Sequence, residues 1–303
     1  MSNTINKITP SEPETPTPET IAEILTLWVD PITEAPPGTS YCLYPTLSRG
    51  VNTQGSYLIY LPPGYKQNDS RRFPVIYWLH GGFGNARQGG WAVQNYAAAI
   101  NAAQMPEVIL VLAQALPVGW YVDSKDGKLP IEQVIIKDLI PHIDTTYRTI
   151  AQKEGRGIEG YSMGGYGALH LGLKFPNLFG AIVAVAPSIL RDMSGEPDYR
   201  TTYTFAGDQD YYEEVGPWNL AKLNAEILSK EETKLRIVGG EQDAHLRPTL
   251  QEYHEWLKEL RIEHEFMVVA DAGHDYQDIV AGASPDTFLF WANAFSSPRR
   301  REK

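Results

Sequence analysis

The sequence predicts an α/β fold, with a mainly parallel central sheet and helices on both faces. Three observations carry this. Short apolar runs such as Phe73-Pro74-Val75-Ile76-Tyr77-Trp78-Leu79 read as strands buried on both faces. Helical patterns alternate with these runs, as in parallel sheets built from strand-helix-strand units. Between one strand-like run and one helix-like run stands Gly160-Tyr161-Ser162-Met163-Gly164, which puts a serine on a sharp strand-to-helix turn. At 303 residues one such domain fits, and nothing requires a second.

The elements follow in order. Residues 1–20 are rich in Pro, Glu and Thr, bury little, and are expected to be a disordered tail. Residues 21–303 form the domain. The stretch 21–29 is a short amphipathic segment, expected to pack on this domain rather than on another copy. Residues 41–45 are expected to add an antiparallel strand at one edge. Strands are expected over 56–61, 73–79, 108–113, 156–161, 181–186, 235–238 and 265–269. Helices are expected over 131–147, 164–175, 217–228 and 247–260.

Composition narrows the partners. Lys and Arg number 26 against 37 Asp and Glu, a net charge of −11, which argues against general nucleic-acid binding. One cysteine, Cys42, excludes an internal disulfide. The N-terminus shows no basic region followed by an apolar core, and no apolar run approaches the length of a membrane span. No membrane association and a cytoplasmic location are therefore expected. No His/Cys cluster has metal spacing, and Asp243-Ala244-His245 reads as a turn, so no metal and no cofactor are expected.

Ser162 is the candidate nucleophile. Glycines two residues before and after it let the chains pass closely, and the next helix aims backbone N–H groups at any anion formed there. A serine hydroxyl needs a base, and the base needs an orienting acid. On such a turn the order along the chain is Ser, acid, His. His274 follows the strand-like run 265–269 in the loop Ala272-Gly273-His274-Asp275, where the base belongs. His170 falls inside a helix and reads as a packing residue; His254 and His264 lie in charged stretches and read as solvated. Asp243 follows the strand over 235–238 and is the preferred acid, with Glu241 as the fallback. Asp208 and Asp210 follow too early a strand, while Asp271 and Asp275 flank the histidine too closely. Strand 73–79 ends in His80-Gly81-Gly82-Phe83-Gly84. This loop suits one oxyanion donor, the N–H of Gly82 or alternatively Phe83, with the N–H of Met163 as the other. No Lys-Ser or Lys-Thr follows, which argues against a phosphate loop. Trp120 and Tyr121, after the fourth strand, either line the substrate pocket or pack against the neighbouring loop. Tyr161 and Trp91 are weaker candidates for the same wall.

With these parts in order, the chain resembles the putative-esterase family of α/β-hydrolases, which includes esterase D, feruloyl and acetylxylan esterases, enterochelin esterases and the antigen 85 mycolyltransferases. The likeness runs over about residues 54–292. Its marks include Leu61-Pro62-Pro63-Gly64-Tyr65, His80-Gly81-Gly82, Gly160-Tyr161-Ser162-Met163-Gly164-Gly165 and Gly273-His274-Asp275. The resemblance implies an α/β-hydrolase fold, Ser162 as nucleophile, Asp243 as acid and His274 as base, the match around Asp243 being the loosest. It implies a small-molecule or carbohydrate ester as substrate: an acylated sugar, a phenolic or a siderophore-like ester. Acyl transfer to a hydroxyl acceptor shares the same residues. A non-catalytic binding protein that kept the fold is the third reading, and the intact Ser, His and acid argue against it.

Overall fold

The computed structural model describes residues 17–32, 34–67, 70–195, 198–230 and 232–296, so most of the expected tail lies outside the described residues. Within them, eight strands form one sheet: β1 (Ser40–Pro45), β2 (Gln54–Tyr60), β3 (Val75–Leu79), β4 (Ile109–Ala113), β5 (Arg156–Tyr161), β6 (Ala181–Val185), β7 (Lys234–Gly240) and β8 (Glu265–Val269). Their order in space is β1-β2-β4-β3-β5-β6-β7-β8. Strand β2 runs antiparallel to β1 and β4, and the pairs from β4 through β8 are all parallel. The sequence-read strands therefore stand within a few residues of their observed ends, and the edge pair is antiparallel as expected.

The helices are α1 (Pro18–Ile24), α2 (Gly90–Asn101), α3 (Ile131–Gln133), α4 (Ile140–Thr146), α5 (Met163–Lys174), α6 (Asp198–Phe205), α7 (Gln209–Val215), α8 (Pro217–Lys230), α9 (Arg247–Glu259) and α10 (Tyr276–Phe295). The helix expected over 131–147 is helical along its path but not α throughout, because a π-helical stretch, Val134–Leu139, joins α3 to α4. Pro141 has no N–H to give the carbonyl of Lys137, and the backbone widens just ahead of it. Helix α1 begins inside the expected tail. The Thr17 side chain accepts the Thr20 N–H and Pro18 stands at the first turn, two strong start signals. Ile21 within it and Trp28 after it are buried in this domain.

Strand residues alternate between two cores. On β3, Val75, Tyr77 and Leu79 face a core roofed by residues of α3, α4, α5, α8 and α9, such as Ile131, Ile140, Leu169, Leu220 and Leu250. Ile76 and Trp78 face the other core, roofed by α2 and α10 through Val93, Tyr96, Ile279 and Trp291. Strand β4 lies on one side of β3 and β5 on the other. The chain thus leaves the carboxyl ends of β3 and β5 in opposite directions, which opens a crevice between their loops.

Candidate active site

Ser162 sits in that crevice, with φ 57° and ψ −116°. A left-handed φ is costly for a residue with a Cβ and survives only where the surroundings impose it. Here the Ser162 N–H donates to the Val185 carbonyl at 2.9 Å, and the Ser162 carbonyl accepts from Tyr166 at 3.0 Å and Ser188 at 3.1 Å. The flanking glycines are steric necessities. A Cβ on Gly160 would lie 2.0 Å from the Gly164 oxygen, and one on Gly164 would lie 2.1 Å from the Leu79 oxygen.

The expected partners converge on the serine. His274 Nε2 lies 3.0 Å from Ser162 Oγ, and His274 Nδ1 lies 2.7 Å from Asp243 Oδ2. A neutral imidazole in this arrangement carries its proton on Nδ1 and leaves Nε2 free to accept from the hydroxyl. Asp243 is buried, and its second oxygen accepts the Leu246 N–H at 3.1 Å. Burial pushes its carboxyl up, but the hydrogen bonds from His274 and Leu246 outweigh that and hold it below the ordinary aspartate value. The alternative acids are engaged elsewhere. Glu241 is exposed and its carboxylate accepts the Asp271 N–H at 3.3 Å. Asp275 caps α10, accepting from Gln277 and Asp278, and Asp208 caps α7.

The loop after β3 supplies the fourth part. The Phe83 N–H is spent on the Pro117 carbonyl at 2.7 Å, which leaves Gly82 as the candidate donor from this loop. A Cβ on Gly82 would touch nothing nearer than the Met163 Cβ at 4.0 Å, so the two candidate donors are neighbours. Buried His80 pins the loop. Burial holds its imidazole below the ordinary histidine value. Nδ1 lies 2.9 Å from the Gly81 carbonyl, and Nε2 lies 3.0 Å from the Ala115 carbonyl and 3.3 Å from the Ala115 N.

A small pocket adjoins Ser162. Gly82, Phe83, Val118, Trp120, Met163 and Ser188 line it. Trp120 thus reaches the pocket, its ring set edge-on to Tyr166 at 5.1 Å. Tyr121 does not. It is fully buried, its hydroxyl donates to the His80 carbonyl at 3.1 Å, and its ring fills the space beside Gly167, where a Cβ would come within 2.3 Å. The pocket-wall expectation for Tyr121 is corrected to a packing role. Tyr161 also serves the loop rather than the pocket. Its ring stacks on His274 with centroids 5.1 Å apart, and its hydroxyl donates to the His274 carbonyl at 2.9 Å. Trp91 is exposed on α2 and does not line the pocket.

Three other histidines found different places. His170 is buried as expected, but bonded rather than merely packed: Nε2 lies 2.6 Å from Glu132, which Lys174 also meets. His254 and His264 are half-buried rather than solvated. They hydrogen-bond each other at 2.8 Å, and His254 stacks on Phe266. Val118 carried no sequence signal; for Ser188 the one hint available was a small residue shortly after β6, the strand beside the nucleophile's own.

Comparison with known proteins gives the chain a family. A family model described as "Putative esterase" matches residues 48–296. The chain is 30% identical over 145 residues to Esterase MT1326 of Mycobacterium tuberculosis, a match covering 47% of this chain and 30% of that protein. It is 33% identical over 132 residues to an endo-1,4-beta-xylanase/feruloyl esterase of Xylanibacter ruminicola, covering 40% of this chain and 18% of that one. The matches thus span under a third of each relative's length. Among solved structures, a ferulic acid esterase superposes with a TM-score of 0.69 at 20% identity, over 85% of this chain and 99% of its own, a likeness of fold.

Proposed function

The chain belongs to the putative-esterase family, and from that premise we propose that it hydrolyses carboxylic esters through a Ser162–His274–Asp243 triad. The observation that carries the reading is the unbroken relay from Ser162 Oγ to His274 Nε2 and from His274 Nδ1 to Asp243, at 3.0 and 2.7 Å. His274 takes the hydroxyl proton as Ser162 attacks the ester carbonyl. The N–H groups of Gly82 and Met163 receive the oxyanion. Collapse expels the alcohol, protonated by His274, and leaves an acyl-enzyme. Water, activated by the same histidine, releases the acid. Asp243 holds the imidazole in its working tautomer and stabilises the imidazolium.

The small pocket beside Ser162 suits a short acyl group, with Trp120 as its wall and the bulk of the ester outside. Acylated sugars and phenolic esters are the substrate class that this reading and the family together favour. Acyl transfer to a hydroxyl acceptor in place of water uses the same residues and enters as an outcome of the test. The test is a panel of acetyl, longer aliphatic and feruloyl esters, run with and without an alcohol acceptor, on the native protein and on Ser162→Ala. Hydrolysis is expected fastest for acetyl, with loss of order 10³ or more in Ser162→Ala. Retention of a tenth of the native turnover in the variant would mean that another residue attacks.

A further inference from the structure

Beneath the histidine loop lies a buried carboxylate that the relay does not use. Glu159 of β5 is 1% exposed. Tyr276 donates to its Oε1 at 3.0 Å, and Tyr96 donates to its Oε2. Each tyrosine oxygen in turn accepts an indole N–H, Tyr276 from Trp78 and Tyr96 from Trp291, both at 3.1 Å. Indole N–H groups donate and never accept, and each phenol O–H donates in turn to a different carboxyl oxygen. Position 159 thus presents two acceptor atoms to two donors, which the side-chain amide of glutamine does not.

One arm of this network ends at the base. Tyr276 is the second residue after His274 and the first of α10. Its ring meets the Tyr161 ring edge-on at 5.4 Å, and Tyr161 in turn stacks on the imidazole and bonds the His274 carbonyl. We propose that Glu159 is a positioning residue for the His274 base, acting through Tyr276 and Tyr161 to fix the loop that carries the imidazole. The proposal rests on the esterase reading above. Burial pushes the Glu159 carboxyl above the ordinary glutamate value, a cost that an apolar residue at this strand position would avoid. The network offsets that cost and ties the loop to the nucleophile's own strand, three residues before Ser162.

The test compares Glu159→Gln and Tyr276→Phe with Tyr253→Phe, a control that deletes another buried hydroxyl, on α9, bonded to the Pro217 carbonyl at 3.2 Å. Expected for both network variants is a fall in kcat of about tenfold with KM unchanged, since small misplacements of a catalytic group carry large rate penalties. The low-field proton resonance of His274 Nδ1–H, identified by its loss in His274→Ala, should broaden or disappear in Tyr276→Phe. Tyr253→Phe should lower the melting temperature comparably and leave both kcat and the resonance alone. Native kcat and an unshifted resonance in Tyr276→Phe overturn the proposal, as does an equal loss of kcat in Tyr253→Phe. Where Glu159→Gln does not fold, the two phenylalanine variants decide. An unmodified protein inactive on every ester would instead defeat the esterase reading, and the resonance would still judge the positioning role.

Discussion

The chain places Ser162 with its own backbone and places His274 with side chains from far away. At the serine, backbone alone sets the geometry: a left-handed φ, bonds to the Val185 carbonyl and the Ser188 N–H, and two flanking glycines whose missing Cβ atoms make room for neighbouring backbone. At the histidine, a loop receives its orientation from Asp243 after β7, Tyr161 on β5 and Tyr276 on α10. The first arrangement tolerates no change in its small residues. The second depends on partners, and its small residue, Gly273, is unconstrained: a Cβ there would meet nothing within 4 Å.

The largest effect expected from breaking the distant half is at Asp243. Asp243→Asn should cost of order 10³ to 10⁴ in kcat, because the imidazole loses its favoured tautomer. Glu241→Gln should stay within about threefold, since its carboxylate holds a backbone N–H at the surface rather than the base. Steady-state kinetics on one acetyl ester would compare them, and the reverse ranking would move the acid to Glu241.

Next in size is a contrast in stability between the two halves. Gly164→Ala drives a Cβ onto the Leu79 carbonyl and should cost about 2–4 kcal/mol. Gly273→Ala should change stability by less than about 0.5 kcal/mol. Urea denaturation measures both, and equal costs would show that the two loops are constrained alike.

The smallest effect is a pH dependence at Asp243. Its folded value lies below that of an unfolded aspartate, about 3.9, because His274 and the Leu246 N–H favour the charge more than burial opposes it. The ionised form therefore stabilises the fold fully above that value, and the contribution is lost as pH falls through the folded one. The stability gap between the native protein and Asp243→Asn should shrink as pH falls below about 4, where the carboxylate takes up its proton. A gap that widens below about pH 4 would reverse the sign.

The same contrast explains what the sequence made legible. The elbow could be read because its constraint is local: glycine, serine and glycine must sit at fixed spacing for the chains to pass. Asp243 and His274 were reachable because each follows a strand, so element order stood in for space. Tyr121 misled because a buried aromatic and a pocket aromatic look alike until a partner, here the His80 carbonyl, is seen. The choice between Gly82 and Phe83 needed the same kind of knowledge, that Pro117 takes the Phe83 N–H. Helices α2 and α10 left little pattern. The first is a run of alanines with few polar residues, and the second carries Gly282 and Pro285 inside it. Glu159 gave no signal either, since a single acid in an apolar strand acquires meaning only from the tyrosines that meet it.

Attack by Ser162, activated by His274, has a direct chemical signature. A fluorophosphonate reacts covalently with an activated serine, and intact-protein mass spectrometry followed by peptide mapping locates the adduct. One adduct per chain is expected, on the peptide that contains Ser162, absent in Ser162→Ala and strongly slowed in His274→Ala. An unlabelled native protein, or an adduct that persists in Ser162→Ala, would contradict it.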